Sequence, residues 1–135
     1  MLAGGVAVHA RAAAPEVEPV EVTADIDYAG AGNARQRLDL YLPRSRSGSA
    51  PLPVIVFVHG GGWVGGSKAA GRLIVQPPVV TGNYAGVSIG YRLAGEARWP
   101  AQSHDCKAAI RWIRANAARH GLDPERIGVI GSSAG

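Results

Sequence analysis

Ser133 stands at the centre of Gly131-Ser132-Ser133-Ala134-Gly135, a Gly-x-Ser-x-Gly spacing that directly follows the apolar run Ile127 to Ile130. A serine at that spacing has a specific physical use. On a tight strand-to-helix turn it takes up strained backbone geometry, and small residues two positions to either side avoid collision and leave its hydroxyl exposed. A second loop, His59-Gly60-Gly61-Gly62-Trp63, also follows an apolar run, Val54 to Val58. Its successive glycines let the backbone turn freely and bring unobstructed amide N–H groups close to a ligand. Together the loops suit nucleophilic acyl chemistry: Ser133 attacks an acyl carbonyl, and backbone N–H groups of Gly61, Gly62 and Ala134 hold the oxyanion. Each such donor is typically worth about 3 kcal/mol of transition-state stabilisation. In a chain with 19 glycines either motif alone is a weak signal. The pair, each member placed after a hydrophobic strand, is a strong one.

Other residues of the same types have blander readings. Ser103-His104-Asp105 spells a triad in consecutive letters, but neighbours on a helix point about 100° apart and cannot form a relay. Asp105 is expected instead to make a structural ion pair with Arg92 beneath the loops. His120 falls in a last helical turn, where an imidazole suits the terminal carbonyls and the dipole, and His9 lies in the leader. Cys106 sits on an apolar helical face and reads as a core residue. Gly60-x-Gly62-x-x-Gly65 matches a dinucleotide fingerprint, yet that site needs an acid about 20 residues on, and no Asp or Glu occurs between Asp39 and Glu96. The stretch Gly61 to Lys68 fails as a phosphate loop because it reads Gly-Ser-Lys where Gly-Lys-Ser/Thr is required.

The elements that must position the two loops can be read from periodicity. Glu16 to Asp27 alternates apolar and acidic residues as an outer, half-buried strand, and Leu38 to Leu42 alternates likewise up to Pro43. Arg44 to Ala50 is a solvated loop. Val54 to Val58 has no polar alternation, the pattern of a strand covered on both faces. Val87 to Tyr91 resembles it, reached through a weakly helical segment, Ala69 to Val80, that Pro77-Pro78 breaks. From Pro100 to His120 the period becomes helical, with Cys106, Ala109, Ile110, Ile113 and Ala117 on one face and Gly121 as the stop. Asp123-Pro124 starts a short turn, and Ile127 to Ile130 is a buried strand. Alternating strands and helices predict an α/β fold with a mostly parallel sheet flanked by helices, its working loops at the strands' carboxyl ends.

Composition removes other classes. With 47% hydrophobic and 18% charged residues, the 135-residue chain has material for a core and too little charge for a disordered tail. No run approaches the roughly 18 to 20 apolar residues of a membrane span. The net charge of +4 is spread along the chain without a basic patch or interleaved aromatics, which argues against nucleic-acid binding. A single cysteine allows no internal disulfide and no Cys-based zinc site. Residues 1–19 form a leader with two readings. Leu2 to Val8 followed by Ala12 to Ala14 is either a truncated export signal, which makes the protein secreted or periplasmic, or an Ala-rich start of a cytoplasmic chain.

Leu38-Asp39-Leu40-Tyr41-Leu42-Pro43, His59-Gly60-Gly61-Gly62-Trp63, Tyr91-Arg92-Leu93, Trp99-Pro100-Ala101-Gln102 and Gly131-Ser132-Ser133-Ala134-Gly135 together resemble the α/β-hydrolase esterase/lipase superfamily. Within it they are most similar to the acetyl-esterase and feruloyl-esterase-like branch that includes carbohydrate esterases. The resemblance covers residues 20–135 and implies hydrolysis of a small-molecule carboxylic ester through an acyl-enzyme, without metal or cofactor. It implies Ser133 as nucleophile, Gly61, Gly62 and Ala134 as oxyanion donors, and His59 as a loop-positioning residue rather than the base. Trp63 either positions the loop as a buried anchor or lines the cleft together with Gly62, Tyr91 and Arg92. In that superfamily the acid and the histidine follow the nucleophile, whereas here nothing follows Gly135. The expectation is therefore the N-terminal half of an α/β-hydrolase, truncated at the nucleophile elbow. Its alternative is a non-catalytic remnant or interaction fragment. Oligomeric state has no signal in the sequence.

Overall fold

The computed structural model describes residues 18–135. His9 and all of the leader except Glu18 and Pro19 lie outside the described residues. Five strands, β1 (Val20–Asp27), β2 (Arg37–Pro43), β3 (Leu52–Val58), β4 (Ala85–Ile89) and β5 (Leu122–Gly131), form one sheet in the order β1-β2-β4-β3-β5. Helix α1 (Arg72–Val80), entered through a 3-10 turn at Lys68–Gly71, links β3 to β4, and α2 (Ala101–His120) links β4 to β5. The sheet is mixed: β3 pairs parallel with β4 and β5, while β2 pairs antiparallel with both β1 and β4. Parallel neighbours need a crossover of a dozen or more residues. The short links from β1 to β2 and from β2 to β3 are too brief for one, so parallel pairing starts only where α1 supplies the crossover.

Because strand side chains alternate between faces, the unbroken apolar run of β3 feeds two cores. Val54 and Val56 meet Ala109, Ile113 and Ala117 of α2 on one face. Phe57 and Ile55 join Tyr41, Val75 and Val79 on the face that α1 covers. Gly86 permits the close approach of α1, since a Cβ there would lie 2.8 Å from Val75 Cβ. At the far end of α2, Gly121 takes the left-handed conformation (φ 65°, ψ 39°) and its N–H reaches Ala117 O and Ala118 O, the expected stop.

Four expectations need correction. Pro77 and Pro78 lie inside α1 rather than ending it. The donors they lack would have reached the carbonyls of Leu73 and Ile74, which belong to exposed residues on the outer face of the helix. The buried stripe of α2 is Gln102, Asp105, Ala109, Ile113 and Ala117, with Cys106 and Ile110 only half buried at its margin. Asp123-Pro124 is not a turn between elements but an irregularity within β5. Leu52 pairs with Leu122 and Val54 with Ile127, and Asp123 Oδ1 accepts the Glu125 N–H at 2.9 Å in the extra length. Finally, Val129 and Ile130 are 58% and 46% exposed, because β5 is an edge of the sheet.

Candidate active site

Both loops singled out by sequence leave the same edge of the sheet. Val58 and Gly131 are partners in the β3–β5 ladder, so parallel pairing brings the two strands' carboxyl ends together and starts the loops side by side. The Ser132 N–H then donates to Val58 O at 3.2 Å, and Gly135 N–H closes a tight turn onto Ser132 O at 2.9 Å. Ser133, at the apex, has φ 54°, a left-handed conformation that non-glycine residues seldom hold without support from their surroundings. The glycines at either end are required by contact. A Cβ on Gly131 would lie 2.5 Å from the Gly135 carbonyl group, and one on Gly135 would lie 2.9 Å from Val58 C. This is the strained strand-to-turn geometry that the spacing predicts.

The glycine loop packs against that turn. A Cβ on Gly60 would stand 2.6 Å from Ser132 O and 3.1 Å from Ser133 Cβ. Gly61 (φ 119°), Gly62 (φ 58°) and Trp63 (φ 61°) follow with positive φ. Gly61 O accepts Val64 N–H at 3.1 Å and Gly65 N–H at 3.0 Å, which curls the loop upon itself. Trp63 is held through its backbone, its carbonyl accepting the Ala94 N–H at 2.7 Å. Its indole is 47% exposed and is not a buried anchor. Trp63, Ala94, Trp99 and Gln102 surround a cavity of about 380 Å³. A second cavity, of about 230 Å³, shares both tryptophans and extends past Tyr91 and Cys106 to Ala134 and Gly135. The larger space of about 430 Å³ beside Pro51, Leu52 and Tyr84 lies at the opposite end of β3 and takes no part in the site.

His59 is buried. Its Nδ1–H donates to Gly60 O at 2.7 Å, and its ring stacks on Tyr91 with centroids 4.2 Å apart. Burial pushes its pKa down, the Gly60 carbonyl opposes that, and the Arg35 charge reinforces it. Among the described residues no hydrogen bond joins Ser133 to any imidazole. His104 is exposed on α2, and His120 leans on Trp112. The expected role of His120 at the helix terminus is filled instead by Arg46, which donates to His120 O at 3.0 Å and to Gly121 O at 3.1 Å.

The expected ion pair is present. Arg92 Nε and Nη2 donate to the buried Asp105 carboxylate at 2.9 and 2.8 Å, and the Arg92 N–H adds a third bond at 3.0 Å. Burial works to raise the Asp105 pKa, but the bonds from Arg92 and from Gln36 outweigh it and hold the carboxyl low. Cys106 is a protonated thiol, pushed up to about 11 by burial and by the Asp105 charge. Lys68 bridges Asp39 at 2.7 Å and Asp25 at 2.9 Å, so its ammonium is already paired. Sequence reasoning missed that bridge, because the β1 bulge at Asp25 leaves no periodic signal, and it used Trp99 only as part of a motif, not as a wall of the cavity.

Among proteins of known kind, the BD-FAE family model matches residues 38–135. The chain belongs to the BD-FAE family. The BD-FAE match takes in β2 to β5 and both loops of the site. Carboxylesterase NlhH of Mycobacterium tuberculosis is 46% identical over 89 residues, which are 62% of this chain and 26% of NlhH. Esterase LipC of the same organism is 41% identical over 100 residues, 74% of this chain and 25% of LipC. Among solved structures, a truncated carbohydrate esterase from gut microbiota superposes with TM-score 0.73 at 35% identity, covering 82% of this chain and 39% of that one. Esterase B from Lactobacillus Rhamnosis gives TM-score 0.80 at 29% identity, covering 87% and 37%. This BD-FAE chain thus has the fold of the N-terminal portion of α/β-hydrolase esterases and spans about a quarter of the length of these two curated relatives. No helix among the described residues is long and apolar enough to cross a membrane.

Proposed function

We propose that this chain carries the nucleophile and the oxyanion donors of a serine carboxylic-ester hydrolase acting on short acyl esters, such as acetyl groups on carbohydrates or small alcohols. The observation that supports this most is Ser133 at φ 54°, pinned between Gly131 and Gly135 and packed on Gly60. In this reading Ser133 Oγ attacks the ester carbonyl, its proton passes to a base, and the C–O bond to the alcohol breaks to leave an acyl-serine that water hydrolyses. The N–H groups of Gly61, Gly62 and Ala134 receive the oxyanion. None of the described imidazoles bonds Ser133, so the reading requires a histidine and a carboxylate from outside residues 18–135. The second reading is a non-catalytic remnant or interaction fragment.

The test is hydrolysis of a chromogenic acetyl ester by the 135-residue chain and by a longer chain that continues past Gly135. Expected is turnover by the longer chain only, reduced about 10⁴-fold or more by Ser133→Ala. Turnover that survives Ser133→Ala would overturn the assignment of the nucleophile. Absence of turnover in both would favour the remnant or interaction fragment.

A further inference from the structure

Residues 90–93, which follow β4, belong to no helix or strand, yet they are tied down at every step. Gly90 N–H donates to Arg37 O at 2.9 Å, and Tyr28 Oη–H donates to Gly90 O at 2.8 Å. Arg92 is clamped to Asp105 of α2 through its backbone and its guanidinium. Between these fixed points Tyr91 is 1% exposed and packs with Val58, Leu93 and Cys106. Its hydroxyl donates to His59 O at 2.7 Å, and its ring lies within 9° of parallel to the imidazole. The carbonyl it holds belongs to the peptide that enters the glycine loop, and the ring it covers holds the next carbonyl, Gly60 O. Gly61 and Gly62 have no side chains with which to fix their own peptide planes.

We propose that Tyr91 is a positioning residue for the glycine loop. It acts through the carbonyl and the imidazole of His59, and Asp105 anchors the segment that carries it. The assignment rests on the reading of Gly61 and Gly62 as oxyanion donors, and it gives the loop a support that runs back to α2. Burial obliges the hydroxyl to find a partner in any case, and the partner it finds is the carbonyl that opens the glycine loop. Tyr91→Phe keeps the ring and removes that bond alone.

The experiment has two readouts. Amide hydrogen exchange in the 135-residue chain reports the loop through Val64 and Gly65, whose N–H groups bond to Gly61 O. Tyr91→Phe is expected to speed their exchange about tenfold while leaving the amides of α2 unchanged. Unchanged exchange at Val64 and Gly65, or an equal acceleration throughout α2, would overturn the proposal. In a longer chain that turns over ester, kcat is expected to fall about 10- to 100-fold with KM within twofold, because donors to the oxyanion act in the transition state. The remote, exposed Tyr84→Phe is expected to change neither readout. If Ser133→Ala abolishes turnover and Tyr91→Phe leaves kcat intact, the positioning role fails and the hydrolase reading stands. If turnover survives Ser133→Ala, the hydrolase reading fails and the exchange data alone judge Tyr91.

Discussion

At the scale of single residues, the buried His59 ties stability to pH. Burial lowers the pKa of His59 from its ordinary 6.5, so below that pH the unfolded chain binds a proton that the folded chain refuses. Stability therefore rises with pH from the folded-state pKa up to about 6.5 and is lost on acidification through the same window. His120, also shifted down by burial and by Arg119, adds in the same direction. The melting temperature is expected to be lower at pH 5 than at pH 7.5, and the difference should shrink in His59→Gln; an undiminished difference would place the effect elsewhere. Ser133 and Gly60 to Gly62 were legible in the sequence because their constraints are local: a strained apex needs small neighbours within two residues. Tyr91 was legible only as part of a motif lining the cleft. Its bond to His59 spans 32 residues, and no spacing rule records such a contact.

Among the elements, α2 does more than cover the sheet. Its buried Asp105 organises the segment after β4, and removing the cation that faces it leaves a carboxylate with only the Arg92 N–H and Gln36 as donors. Arg92→Ala is expected to cost about 2–4 kcal/mol, less than the full penalty for an unpaired buried charge because those two donors remain. Denaturant unfolding with an unchanged midpoint would refute the structural role of the pair. The sequence reading placed α2 and β3 closely because a helical period closed by Gly121, and a β-branched run, are strong local signals. It ended the segment of α1 at Val80, as found, but read a break at Pro77 and Pro78 that the helix does not have. The direction of β2 was beyond periodicity, since alternation marks a strand and not the sense of its pairing.

For the molecule as a whole, the sheet has two unlike edges. At one, β1 carries charged residues and the bulge at Asp25, features that discourage pairing with another strand. At the other, β5 presents free backbone groups beside the exposed Val129 and Ile130. The isolated 135-residue chain is expected to self-associate with rising concentration, and Ile130→Lys is expected to weaken that association. Sedimentation velocity reads both, and a species that stays monomeric with a cooperative melt would contradict the expectation.

The strand order also sets a schedule for synthesis. During translation, β1, β2, α1 and β4 can dock on the inner side of β3 while its outer edge remains open. That edge closes only when β5 emerges, some 70 residues after Val58, a wait of roughly 4–15 s at about 5–20 residues per second. Ser133 is made two residues after the last rung of that ladder. The glycine loop is therefore made early and without the turn it packs on, and Gly60 meets Ser132 and Ser133 only after β5 has joined the sheet.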